Sequence, residues 1–245
     1  MQINICHLYP DLLNLYGDQG NVRVLKHRLE ARGIDCQVHH ISHGQEIDFT
    51  QCDILFIGGG QEAQQMIALE ELHKGRGAQL KSAVEDGLVL LSIGGGFELL
   101  GKSYQTIAGQ EIELSGLLDM HCIAGKTRQT GDYAFTWQQG EEKVQIVGFE
   151  NHSTKTYLGS GLSPLGTIIS GHGNNGEDKT EGACYKNLFG SYSHGPLLPK
   201  NPVLADHLLS LALLRKYGKA QLAPLDDRLE QKAQAYILDR LIAQS

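Results

Sequence analysis

No stretch of this sequence approaches the roughly 18 consecutive apolar residues that span a bilayer. Its opening, MQINICHLYPD, enters a strand pattern directly, without the regions of a signal peptide, so a cytoplasmic location is expected. Basic clusters are missing as well: 21 Lys and Arg lie scattered among 28 Asp and Glu, for a net charge of −7. That balance argues against a nucleic-acid or acidic-membrane surface and points to a protein or a small molecule as partner. The five cysteines, at 6, 36, 52, 122 and 184, form no CxxC pair. An odd number at such spacings predicts neither a disulfide framework nor a zinc ribbon, and the thiols read as small buried residues. Linkers, repeats and low-complexity tracts are absent from the 245 residues.

What is present alternates strand and helix. INICHL (3–8), CQVHHI (36–41), DILFIGGG (53–60) and LVLLSI (88–93) read as strands. Val22, Leu25 and Leu29 recur at helical spacing up to Gly33, and AQQMIALEEL and AQLKSAVEDG are helical. This rhythm predicts an α/β fold, a mostly parallel sheet flanked by helices, with its sites at the carboxyl ends of the strands. From 104 to 195 the expected strands are shorter and turn-rich; helices are expected over 203–216 and 226–243. In the last of these, Leu225, Leu229, Ala233, Tyr236 and Leu241 fall at roughly helical spacing, to dock on the domain or on a partner.

Two glycine triplets, 58–60 and 94–96, end neighbouring strands. Neither is a nucleotide loop of known type: no GxGxxG follows the first strand, and GGGFELLG lacks the Lys-Ser/Thr of a P-loop. Together they suggest a pocket floored by backbone N–H groups able to stabilise an oxyanion. In acyl-transfer enzymes the tip of such a strand-to-helix turn carries the nucleophile, whereas here the tip is Gly94, with no side chain. His194 follows a strand and precedes Gly195-Pro196, a position suited to a general base. Cys36, His39, His40 and His43 have a metal-like composition, but alternation along a strand sends them to different faces, so no metal site is expected.

The stretches DILFIGGGQE, SIGGGFELLG, KTRQTGD, VGFENHSTKTYL and GHGNNGEDKTEGACYKNLFGSYSHGPLLPKNP together resemble the class I glutamine amidotransferases of the cobyric-acid-synthase-like type. The resemblance runs from about residue 3 to 216. It implies a single flavodoxin-like amidotransferase domain over 1–218, with 219–245 as a helical extension packed on it or on a partner. It also implies a glutaminase that hydrolyses L-glutamine and hands ammonia to a MurT-like Mur ligase subunit in a heterodimer. That partner would use ATP and Mg to amidate the D-glutamate of lipid II during peptidoglycan synthesis in a Gram-positive bacterium; this chain would need no cofactor of its own. By the same resemblance Gly94 stands where the family has its nucleophilic cysteine, and His194 is the catalytic histidine, in a Cys-His dyad because no acid follows it at H-x-E spacing. Arg128 would hold the glutamine carboxylate, as its planar fork suits. The N–H groups of Gly59, Gly60 and Gly95 would form the oxyanion hole, and His152 is a candidate pocket residue. A glycine cannot form the thioester, so the chain as written is expected to lack glutaminase activity. A substituted nucleophile and a natural pseudo-enzyme acting as a binding or scaffolding subunit both remain open.

Overall fold

The computed structural model describes residues 1–219 and 221–243; Ala220, Gln244 and Ser245 of the 219–245 extension lie outside them. The first four strands, β1 (Gln2–Leu8), β2 (Asp35–Ile41), β3 (Ile54–Ile57) and β4 (Val89–Ile93), are parallel neighbours in the order β4-β3-β1-β2. β1, β3 and β4 are near-continuous apolar runs because both faces of the sheet are covered there, whereas β2, at the edge, is polar and partly exposed. Ile3, Ile5, Ile54, Phe56, Leu91 and Ile93 enter one core with α1 (Gly20–Glu30), and Leu8, Leu55, Ile57 and Leu90 enter a second with α2 (Glu62–Glu71) and α3 (Gly77–Glu85). A single helical turn, α4 (Gly95–Glu98), follows β4 directly.

The middle of the chain departs from expectation. Beyond the short β5 (Ser103–Gln105) and β6 (Glu111–Glu113), it forms a hairpin of two long strands, β7 (Met120–Gln139, 20 residues) and β8 (Glu142–Leu158, 17 residues). Their many Thr, Gln, Lys and Glu residues mask the alternation, because one face is largely solvated. The register shifts between Ala124 and Gln129, and Arg128 lies in that irregularity. Such bulges re-aim a side chain. With β9 (Gly166–Ser170) and β10 (Thr180–Glu181) these strands make a second six-stranded sheet. The chain then returns through β11 (Ala183–Tyr185) to β12 (Leu188–Ser191), which pairs parallel to β4 and extends the central sheet.

α5 (Pro202–Tyr217) ends at Gly218, whose φ of 66° is left-handed, and α6 (Arg228–Ile242) packs back on the hairpin. Its buried face keeps only Leu241 of the stripe read from the sequence. Leu229 and Tyr236 are 76% and 70% exposed, whereas Ile237, Leu238 and Leu241 meet Ala134 and Val147. The approach to α6 is tied to α1 and α5 by ion pairs: buried Arg28 binds both Asp206 and Asp227, at 2.7 and 2.6 Å.

A further correction concerns the cysteines. Cys6 and Cys52 are joined as a disulfide between the middle of β1 and the approach to β3, which the odd count argues against. The parallel pairing of β1 with β3 brings together residues 46 apart, a proximity that spacing alone does not show. Cys36, Cys122 and Cys184 remain free thiols. Among the described residues no three His, Cys, Asp or Glu side chains gather in a way that would hold a metal ion, and no helix is long and apolar enough to cross a membrane.

Candidate active site

β4 ends at Ile93, and the chain turns so sharply into α4 that Gly94 takes φ 53° and ψ −121°. Glycine meets no Cβ penalty there, whereas any other residue would be strained. The Gly94 N–H donates to Ser191 O at 2.8 Å, tying the turn to the end of β12. Three residues beyond β12, His194 is buried and clamped to the hairpin: its N–H donates to Phe149 O at 2.8 Å. A Cβ on Gly94 would lie 2.6 Å from both Cε1 and Nε2 of His194, so tip and imidazole face each other in contact.

The imidazole is oriented by a residue that the sequence reading passed over. Its Nδ1–H donates to the carboxylate of fully buried Asp18, 3.2 Å from each oxygen, which leaves the lone pair of the neutral ring on Nε2, beside Gly94. The expected dyad is therefore corrected: an acid backs the histidine, but it comes from the loop before α1, 176 residues upstream, and not from the H-x-E position. The available signal was the Tyr-Gly-Asp turn at the carboxyl end of β1, where sites of parallel sheets collect. Asp18 also accepts the Gly59 N–H at 2.8 Å. Gly59 is thus committed to positioning the acid, a second correction, and Gly60 and Gly95 remain as candidate oxyanion donors. Gln65 lies between them, its Nε2 donating to Gly60 O at 3.0 Å and occupying the space where a Gly95 side chain would project.

These groups border a cavity of about 360 Å³ that is also lined by Tyr16, Glu98, Arg128, Asn151, His152 and Thr154. Arg128, exposed at the mouth, donates from Nε to Asn151 Oδ1 and from Nη2 to Tyr16 OH at 3.0 Å. Tyr16 is held in the left-handed region at φ 62°, uncommon for a bulky residue, and its ring meets that of His194 edge-on at 5.0 Å. Glu98 is buried on α4, and burial raises its carboxyl pKa; Tyr192 OH donates to it at 3.1 Å. The structure therefore gathers Gly59, Gly60, Gly94, Gly95, Arg128, His152 and His194 around one cavity, and adds Asp18 behind it and Tyr16 and Glu98 on its wall. Cys36, His39 and His40 lie on β2 and His43 in the turn after it, all outside this cavity.

An arginine at the mouth, fixed N–H donors on the floor and a carboxylate-backed imidazole suit amide hydrolysis at a strand-to-helix turn. Residues 4–202 match the model of the CobB/CobQ-like glutamine amidotransferase domain, and the chain belongs to that family. More particularly, it is 42% identical over 239 residues to the GatD subunit of the glutamine-hydrolysing lipid II isoglutaminyl synthase of Staphylococcus aureus, covering 98% of this chain and 96% of that one. It is 39% identical over 233 residues to the GatD subunit of Streptococcus pneumoniae, covering 94% and 88%. In fold it is similar to a glutamine amidotransferase of Thermotoga maritima, with a TM-score of 0.56 at 13% identity over 99% and 97% of the two chains.

Proposed function

We propose that this chain is the glutaminase-type subunit of a lipid II isoglutaminyl synthase, and that Gly94 leaves it able to bind L-glutamine without hydrolysing it. The observation that carries this reading is the Gly94 turn, which keeps a nucleophile's backbone opposite the Asp18-oriented imidazole of His194. With a thiol at that tip, His194 would take its proton and later return one to the departing ammonia. The Gly60 and Gly95 N–H groups would meet the oxyanion. Ammonia would pass to a MurT-like Mur ligase partner, which would use ATP and Mg to activate the D-glutamate of lipid II in the cytoplasm. Similarity to the two GatD subunits supports this assignment.

Calorimetry of L-glutamine with the isolated chain and with its ligase complex tests the binding. Heat of binding without release of glutamate is the expected result, and absence of binding in both settings would sink the proposal. Replacing Arg128 by alanine removes a charged hydrogen-bond donor. It should weaken binding by about 1.5–3 kcal/mol, tenfold or more in Kd.

The partner half of the proposal has its own test. Gly94 lacks only a small buried side chain, so copurification with the ligase should survive. The complex should amidate lipid II when given ammonium salt and fail when given glutamine. A complex that cannot use ammonium would mean that this subunit does more than deliver nitrogen.

A second reading, a non-catalytic subunit kept for binding, is favoured by one observation: the His194 ring stands 2.6 Å from where a Cβ on residue 94 would project. Cysteine at position 94 separates the two readings.

A further inference from the structure

His152 lies on β8, only 7% exposed, on the wall of the cavity it shares with Gly94, Glu98, Arg128 and His194. Its Nδ1 sits 2.8 Å from the carbonyl oxygen of Thr154, which can only accept, so the ring proton is on Nδ1 and the lone pair on Nε2. Nε2 is buried and has no hydrogen-bond partner. Glu150 Oε2, 4.0 Å away, offers it no proton, because that carboxylate is itself an acceptor, engaged by the backbone N–H groups of His172 and Gly173. The ring cannot easily turn to find another partner, being stacked on Tyr192 with centroids 3.7 Å apart and planes 14° from parallel. Burial lowers its pKa to about 4, so it stays neutral and remains an acceptor at ordinary pH. A buried acceptor left unpaired costs free energy that a donor from a ligand recovers.

We infer that His152 Nε2 accepts a hydrogen bond from the carboxamide N–H of the substrate, and so lets the pocket tell glutamine from its hydrolysis product, glutamate. The inference rests on the reading that the cavity takes L-glutamine, and the groups on its wall then sort by charge. Arg128 suits the α-carboxylate. The α-ammonium suits the carboxylate of Glu98, whose charge burial otherwise disfavours. The one remaining nitrogen of glutamine, the neutral amide, matches His152 Nε2, a neutral acceptor on the wall that has no partner within the protein. After hydrolysis the γ-carboxylate would set oxygen lone pairs against the Nε2 lone pair, so the product would be held less tightly than the substrate.

The Gly94 chain is suited to the test, because a pocket without a nucleophile allows equilibrium measurements on glutamine itself. Calorimetry would compare L-glutamine, L-glutamate γ-methyl ester, which lacks the N–H, and L-glutamate. Glutamine should bind tightest, the ester about tenfold more weakly, and glutamate more weakly still. His152→Phe keeps the stack on Tyr192 and removes the acceptor. It should bring glutamine to the ester's affinity and leave the ester within about twofold of its own value. Equal binding of glutamine and ester by the unmodified chain would overturn the inference, as would an equal loss for both ligands in a folded His152→Phe protein. The comparison on the unmodified chain decides the matter even where that variant does not fold. Absence of glutamine binding in both the isolated chain and the ligase complex would bring down the glutaminase reading along with this one, whereas binding without discrimination would overturn this inference alone.

Discussion

Replacing Gly94 by cysteine should create glutaminase activity, read as glutamate released from L-glutamine by the chain in complex with its ligase. The backbone is already that of a nucleophile turn, with φ 53° and ψ −121°, and His194 already offers Nε2 beside it. Two costs accompany the change. A residue with a Cβ held at this conformation carries about 1–3 kcal/mol of strain, which at this chain length should lower the thermal midpoint by several degrees, roughly 2–4 °C per kcal/mol. The imidazole must also retreat from the new Cβ, which would otherwise lie 2.6 Å away, without leaving Asp18. Adding His194→Ala to the cysteine variant should lower the gained rate by about 10²–10⁴-fold, because thiol and base act as one unit. A silent Gly94→Cys protein, with partner and substrates present, would decide for the binding subunit.

In that cysteine background, Asp18→Asn should cost about 10²–10⁴ in kcat with little change in KM. The amide can still occupy the space, but it supplies no negative charge beside the imidazolium that forms when His194 takes the thiol proton. It can also present its NH2 to Nδ1 and impose the wrong tautomer. Glutamine binding by the Gly94 form should be nearly unaffected, since Asp18 lies behind the imidazole and away from the carboxylate clamp. A loss of binding equal to the loss of rate would instead mean that Asp18 merely holds the 58–60 loop through its bond to the Gly59 N–H.

The parts of the fold legible in the sequence are those where burial on two faces wrote the pattern. β1, β3 and β4 are short apolar runs ended by turns, and α1 shows its spacing up to Gly33. The length of the β7–β8 hairpin was not legible: shorter strands were expected over this stretch, because a strand half in water dilutes its alternation with polar residues and a register shift interrupts it. Of the site, the Gly94 tip and His194 announced themselves as a turn motif and a histidine after a strand. Arg128 and His152 came through family resemblance alone. Asp18 was hidden because an acid can reach a histidine from any loop at the same sheet edge, and sequence distance carries no trace of it. The Cys6–Cys52 pair was hidden for a related reason: neighbouring parallel strands are separated along the chain by a whole crossover.

The place of β12 in the central sheet has a bearing on how the protein is made. β4 lies between β3 and β12, so until residues 188–191 have left the ribosome and docked, β4 is an edge strand with unpaired backbone groups. The same docking brings Ser191 O to the Gly94 N–H and delivers His194 to Asp18. A nascent chain carrying the elbow and the acid therefore has no assembled centre until more than three quarters of its 245 residues exist. The covering of β4 and the assembly of the site thus depend on the same docking of β12, and a fragment that stops short of β12 would lack both.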